Sequence, residues 1–143
     1  MYFQKTFLWL ALCLASSTSL LAFDVTFQVD MSNETGFNTP EVNGTFNNWC
    51  GSCAAMTDTD GDGIWTKVIS LSAGSYEYKY SYDNWSGQEV LPEGASCTVT
   101  AGSFTNRTLN VTGNMVLPVV CFNTCSQCVE PVPAVVDFYL NPG

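Results

Sequence analysis

The chain has 143 residues, which is the size of one domain plus a short leader. It carries 4 lysines and arginines against 13 aspartates and glutamates, has no histidine, and has a formal net charge of −9. This charge argues against nucleic acid and anionic lipid surfaces as partners. The lack of histidine removes the usual general base, the usual zinc ligand and every Ser-His or Cys-His nucleophile pair.

Residues 1–22 have the pattern of a secretory signal peptide. Lys5 precedes an apolar run from Phe7 to Ala15, and small residues lead to a cleavage site that we place between Ala22 and Phe23. The run is shorter than the ~20 residues that a membrane span needs, and no later stretch is long enough to insert. Cys13 is either lost with this leader or carries a lipid anchor. We therefore expect a secreted protein, outside the cell or at its surface.

The first half of the mature chain shows three strand patterns. Residues 25–31 alternate between apolar and polar side chains, as a half-buried strand does. Residues 41–46 form a second short strand, with Gly44 leaving room for close backbone packing or a bulge. Residues 64–71 alternate again, and the alternation places Trp65 in the core.

The strand predicted for residues 75–82 has two chemically different faces. Its tyrosines at positions 76, 78, 80 and 82 share one face, which we expect to be core. Glu77, Lys79 and Ser81 share the other face. The turn that follows begins at Asp83 and Asn84 and carries Trp85.

The remaining strand patterns complete an all-β domain over residues 23–128. Residues 95–100 and 104–111 form a hairpin, and residues 115–122 form a last strand with Pro118 at an edge or bulge. No amphipathic helix pattern is present in the mature chain. About seven short strands with turn signals every ~8–12 residues predict an antiparallel β-sandwich.

The composition changes after Cys128. Residues 129–134 form a proline-rich linker, and residues 135–143 form a strand-like tail. Residues 136–141 have the apolar spacing of residues 25–30, with a phenylalanine in the same place. The match is short enough to arise by chance. If it is real, the tail is the start of a second repeat, and otherwise the tail is a strand that joins the sheet of a neighbouring molecule by β-augmentation.

Six cysteines remain in the mature chain, and an even number in an exported domain predicts three disulfides. A zinc site or a redox-active C-x-x-C motif is the alternative, but thiols outside the cell oxidise. Six cysteines allow 15 pairings. The pairing that we favour is Cys50–Cys53, Cys125–Cys128 and Cys97–Cys121.

An acidic turn lies between the second and third predicted strands. Asp58, Asp60, Asp62 and Gly63 match the first half of an EF-hand loop. Ile69 stands where that loop needs its bidentate glutamate, so we do not expect an EF-hand. Three carboxylates this close repel each other unless they are neutralised, which leaves a looser calcium site or a solvated acidic turn as the two interpretations. No other cofactor is predicted.

Five asparagines open N-x-[ST] sequons, which accept glycans only if the source is a eukaryote. They are Asn33, Asn43, Asn84, Asn106 and Asn110.

Two motifs carry a resemblance to a known family. Residues 44–49 read G-T-F-N-N-W, and residues 71–80 read L-S-A-G-S-Y-E-Y-K-Y before the D-N-W of residues 83–85. Together they resemble the starch- and glycogen-binding carbohydrate-binding modules, and in particular the glycogen-binding domain of the AMP-activated kinase β-subunit. The resemblance covers residues 25–111.

The resemblance implies an immunoglobulin-like sandwich with no catalytic activity. It also implies that Trp49 and Trp85 form a platform for α-glucan and that Lys79 binds hydroxyl groups, with Asn48 and Asn84 beside them. This chain departs from the family at two points. Cysteines bracket the first tryptophan loop, and the second turn is shorter, which changes the expected position of Trp85 relative to Trp49.

Two functions follow as hypotheses. The first is a secreted, non-catalytic module that binds polysaccharide. Pairs of carboxylates such as Glu77 and Glu89 have no catalytic motif around them, and a single sandwich offers no deep cleft, so we do not expect an enzyme. The alternative is a structural subunit of an extracellular fibre or surface assembly, joined by strand exchange of the tail.

Overall fold

The computed structural model of the chain describes residues 21–128. Nearly all of the predicted leader, and all of the predicted linker and tail, lie outside this range. Within it, no helix is both long and apolar enough to cross a membrane.

The described part of the chain consists of strands and short turns. Two 3-10 turns, Thr45–Asn47 and Ser52–Ala54, lie on either side of Trp49. The nine strands are β1 (Ala22–Asp30), β2 (Pro40–Gly44), β3 (Ile64–Ser72), β4 (Gly74–Tyr82), β5 (Gly87–Gln88), β6 (Thr98–Ala101), β7 (Phe104–Val111), β8 (Met115–Val116) and β9 (Val120–Cys121).

The strands form two sheets. In the first, β3 pairs antiparallel with β1, and the short strands β8 and β9 pair parallel with the other side of β1. In the second, the order is β2-β4-β7-β6, all antiparallel, and β5 pairs with the end of β4. This all-β, two-sheet sandwich confirms the predicted fold, although the β1–β8 and β1–β9 pairs depart from a purely antiparallel arrangement.

The core lies between the sheets and follows from the period of two in each strand. Val25, Phe27 and Val29 of β1 are fully buried, and so is Tyr80 of β4. Trp65 is half-buried and packs against this core, as predicted. The tyrosine face of β4 is also core: Tyr78 and Tyr80 are buried, and Tyr76 and Tyr82 are half-buried against them.

Strand boundaries differ from the prediction where the local sequence blocks regular pairing. The single strand predicted for residues 115–122 is divided into β8 and β9, and Pro118, which has no N–H to donate, lies between them. The two-residue strand β5 was missed because it is too short to show a period. These short strands account for the rise from about seven predicted strands to nine.

The disulfides are Cys50–Cys53, Cys97–Cys125 and Cys121–Cys128. The first confirms the prediction, but the predicted Cys97–Cys121 and Cys125–Cys128 pairs are wrong. Pairing with β1 holds Cys121 next to Asp30. The N–H of Cys121 donates to the carbonyl of Ser126 at 2.8 Å. The chain after β9 therefore turns back on itself, which brings the Cα atom of Cys128 to 4.7 Å from that of Cys121.

A buried ion pair joins β7 to the segment after β5. The Arg107 guanidinium donates to both carboxylate oxygens of Glu89, at 2.6 to 3.1 Å, and to the carbonyl of Thr124 at 2.7 Å. Glu89 also accepts from the N–H of Tyr80, and the guanidinium lies over the Tyr80 ring. Burial raises the pKa of Glu89, and the hydrogen bonds and charge of Arg107 oppose that shift. The pair thus ties the Cys97–Cys125 region to the second sheet.

Candidate functional site

The first tryptophan loop leaves β2 through a tight local turn. The N–H of Gly44 donates to the Asn47 side-chain oxygen at 2.9 Å, and the Asn47 amide donates to the Val42 carbonyl at 3.1 Å. Asn48 and Trp49 then adopt left-handed backbone conformations, with φ of 53° and 56°. Asparagine tolerates this conformation better than most residues. The turn directs the chain away from the sheet at Trp49.

The second tryptophan loop contains three consecutive left-handed residues, Asp83, Asn84 and Trp85, with φ of 50°, 54° and 67°. Such a run is unfavourable for non-glycine residues unless it is held. The Asp83 carboxylate holds it by accepting from the backbone N–H groups of Asn38 and Thr39 at 2.8 to 3.2 Å. These hydrogen bonds lower the pKa of Asp83 below its ordinary value. The loop is therefore anchored by an ionised carboxylate.

A buried polar network lies on the outer face of the second sheet and links the two loops. The Glu41 carboxylate accepts from the N–H of Asn84 at 2.9 and 3.1 Å and from the Ser81 hydroxyl at 3.2 Å. The Asn43 amide donates to Ser81 at 2.9 Å, and its oxygen accepts from the N–H of Gly51 at 2.8 Å. Side chains of β2 and β4 thus fix the backbone of both loops, and this network fixes the positions of the tryptophans.

The two indoles lie side by side. Their ring centroids are 6.5 Å apart, and their planes are tilted by 39°. The Trp85 indole N–H donates to the Trp49 carbonyl at 3.2 Å, so each loop positions the other. Both side chains are half-buried, which leaves part of each ring accessible. The pair forms an angled rather than a flat aromatic surface.

The tryptophans line an open cleft of about 590 Å³ on the outer face of the second sheet. This volume is in the range of small-ligand sites. The cleft is lined by Thr45, Trp49, Glu77, Lys79, Trp85, Gln88, Ala101, Phe104 and Asn106.

Lys79 is the cationic group of this cleft. The residue is only 7 % exposed, and burial lowers the pKa of its ammonium, while the charge of Glu89 opposes that shift. The ammonium makes neither a salt bridge nor a hydrogen bond with any residue of the range 21–128. Every fully buried side-chain nitrogen in that range has a hydrogen-bond partner. Because the Lys79 ammonium has none, it is not fully buried and keeps contact with solvent at the cleft. An ammonium with three donors, no internal partner and limited contact with solvent is suited to binding oxygen atoms of a ligand.

The structure brings Trp49, Lys79 and Trp85 together, as the motifs predict. Asn48 and Asn84 lie in the same loops but do not line the cleft. The sequence analysis missed Phe104, which is 65 % exposed at the start of β7 and forms a third aromatic wall. Its position as an apolar residue beside a hairpin turn could have indicated an exposed aromatic side chain. Two polar residues of the cleft, Gln88 and Asn106, were also not predicted.

The acidic turn brings its three carboxylates together, and none of the three lines this cleft. One oxygen from each of Asp58, Asp60 and Asp62 lies within 4.8 Å of the others. Both oxygens of Asp58 accept backbone N–H groups, from Gly61 at 2.8 Å and Gly63 at 3.0 Å. The set of donors suits a hard cation such as calcium, although Ca²⁺ usually takes six to eight oxygens and would need solvent for the rest.

The five sequons differ in accessibility. Asn33, Asn84 and Asn110 are exposed. Asn43 and Asn106 are buried, and their amides donate to Ser81 and Glu77 respectively. Asn43 lies inside the buried network, where a glycan on its amide would not fit, and a glycan on Asn106 would occupy the tryptophan cleft.

No protein-family model matches the chain, and no curated protein matches it at a significant level. The likeness to starch- and glycogen-binding modules therefore rests on the motifs themselves.

Proposed function

We propose that this protein is a secreted, non-catalytic carbohydrate-binding module that recognises an α-glucan-like polysaccharide in the cleft between Trp49, Lys79, Trp85 and Phe104. Three disulfides within the described residues are compatible with an extracellular protein.

The observation that carries the proposal is the pairing of two accessible indoles with an unpartnered ammonium in one cleft. The C–H face of a pyranose ring packs against an indole and leaves its hydroxyl groups at the ring edge. There Lys79 donates to hydroxyl oxygens, and Gln88 offers an amide that both donates and accepts. Aromatic surface with a few oriented polar groups is the usual composition of a small-ligand site.

The tilt of the indoles favours a curved ligand. Planes at 39° fit successive sugar rings that rotate relative to each other, as they do in α-linked glucans. The angle between Trp49 and Trp85 thus supports the proposed preference for α-glucan.

The carboxylates near the cleft are not arranged for glycoside hydrolysis, which needs two facing each other across the bond. Glu77 is the one carboxylate among the residues that line the cleft, and it accepts a hydrogen bond from Asn106 at 3.0 Å. Glu89 is fully buried in its pair with Arg107. This supports a binding role without catalysis.

The test is retention by soluble starch or glycogen in native affinity electrophoresis. Trp49→Ala, Trp85→Ala and Lys79→Met should each weaken retention while the unfolding midpoint shows that the domain is still folded. Trp65→Phe and Lys67→Met are matched controls outside the cleft and should be retained like the wild type. If the three cleft variants are retained like the wild type, the assignment is wrong.

A second candidate function is a subunit of an extracellular fibre or surface assembly. The observation that favours it is the outer edge of β3. Among residues 21–128, this edge pairs only at Thr66, which forms an isolated bridge with Thr57. Val68 beside this edge is 56 % exposed. An open edge can accept a strand from another chain, and residues 135–140 would supply it. Deletion of residues 134–143 should then abolish assembly in light scattering, and unchanged oligomers would refute this function.

A further inference from the structure

The tryptophan cleft continues into a second hollow on the same sheet. This hollow has a volume of about 450 Å³ and shares Thr45 and Glu77 with the cleft. Its other lining residues belong to β4, β6 and β7. They are Ser75, Tyr76, Val99, Thr108, Leu109 and Asn110.

The strand register explains which polar side chains face this hollow. Ser75 lies opposite Asn110, and Glu77 lies opposite Thr108, in the antiparallel β4–β7 pair. These residues alternate with the core residues of the same strands, so their side chains project outward. The Ser75 hydroxyl and the Asn110 amide oxygen are 3.5 Å apart. Hydroxyl, amide and carboxylate groups thus follow one another away from the tryptophans.

The length of this floor decides what it can hold. From Lys79 to Ser75 the strand rises about 13 Å, at ~3.3 Å per residue. That is comparable with the length of a disaccharide. The two hollows meet at Thr45 and Glu77, which line both of them.

We propose that the second hollow is an extension of the binding site that holds further sugar units of the same glycan chain. The inference rests on the proposed function of the cleft. The tryptophan end binds by stacking, and the Ser75–Thr108–Asn110 floor binds by hydrogen bonds to hydroxyl groups. The ligand is therefore an internal stretch of a neutral polysaccharide that lies across the sheet, rather than a chain end in a closed pocket.

The proposal requires affinity to depend on chain length. Calorimetry should compare maltotriose, which occupies the tryptophan cleft, with maltoheptaose, which also reaches the floor. Wild-type protein should bind maltoheptaose at least about tenfold more tightly, because two net hydrogen bonds of ordinary strength change affinity by this order.

Two variants separate the extension from the cleft. Thr108→Arg fills the hollow, and the double variant Ser75→Ala, Asn110→Ala removes its polar groups without filling it. Both should lower the affinity for maltoheptaose to that for maltotriose and leave maltotriose unchanged. Thr112→Arg, which changes an exposed threonine beyond the hollow, is the matched control and should keep the full difference.

The outcomes distinguish the two claims. Equal affinities in the wild type, or variants that keep the wild-type difference, overturn the extension and leave the cleft standing. Failure of the wild type to bind either oligosaccharide overturns the proposed function and the extension with it.

Discussion

Gly51 couples the two tryptophan loops, and replacing it with alanine should disturb both. Gly51 has φ of 79°, and a Cβ atom there would collide with the side-chain oxygen of Asn84 and lie 3.1 Å from Cδ1 of Trp85. Its N–H is also held by Asn43. A change next to the first tryptophan loop therefore displaces the turn that carries the second tryptophan.

Two costs, the backbone conformation and the steric overlap, determine how much Gly51→Ala lowers the free energy of unfolding. A left-handed backbone costs a non-glycine residue about 1–3 kcal/mol. Displacement of the Asn84 side chain and the Trp85 ring by the added methyl group costs about 1–3 kcal/mol more. Gly51→Ala should thus lower the free energy of unfolding by about 2–6 kcal/mol from these two terms together.

Gly61→Ala is the matched control. Gly61 has φ of 76°, but no atom lies within 4 Å of a Cβ atom placed there. Gly61→Ala should lower the free energy of unfolding only by the cost of the left-handed backbone, about 1–3 kcal/mol. Urea unfolding followed by tryptophan fluorescence, with disulfides intact, measures both variants. The coupling of the loops would be refuted if both variants lost the same free energy of unfolding. It would also be refuted if glycogen retained Gly51→Ala as strongly as it retains the wild type.

Three further predictions concern charges. Arg107→Met leaves Glu89 buried without its partner and should lower the free energy of unfolding by about 3–5 kcal/mol in urea; a loss below about 1 kcal/mol would show that the pair is not desolvated. Because the folded state lowers the pKa of Asp83, its stabilising effect is full above the ordinary pKa of about 4 and is lost as pH falls through the lowered value. Asp83→Asn should therefore flatten this part of the acid-unfolding curve, and an unchanged curve would contradict the anchor. Calcium at millimolar concentration should raise the melting temperature of the wild type and not that of the Asp60→Asn, Asp62→Asn variant, since it would relieve repulsion in the acidic turn. Equal shifts of the melting temperature in both proteins would show that the acidic turn is solvated and does not bind calcium.

Much of the fold could be predicted because strand periodicity is a local property. The alternation in β1 and the tyrosine face of β4 specify their buried sides without knowledge of their partners. The pairs Cys97–Cys125 and Cys121–Cys128 could not be predicted, because they depend on the parallel pairing of β9 with β1 and on the reverse turn after Cys121. The β9–β1 pairing joins residues that are far apart in the sequence, and the reverse turn lies in a loop whose sequence has no hydrophobic period.

The candidate site shows the same division. The motifs predicted that Trp49, Lys79 and Trp85 belong together, and the cleft does contain all three. Lys79 was expected on a polar face, yet it is almost fully buried because the loops and the β6–β7 hairpin enclose that part of the sheet. Phe104 and the Glu41–Asn43–Ser81 network were not predicted, since a polar side chain on a strand gives no sign that a loop will cover it.

Glycan that stacks on Trp49 and Trp85 must change the surroundings of both indole N–H groups. These groups can be followed, together with that of Trp65, in a ¹⁵N-correlated NMR spectrum during titration with maltoheptaose. We expect the signals of Trp49 and Trp85 to shift together with a single affinity, while that of Trp65 stays in place. Signals at positions 49 and 85 that do not move, or a shift confined to Trp65, would contradict this expectation.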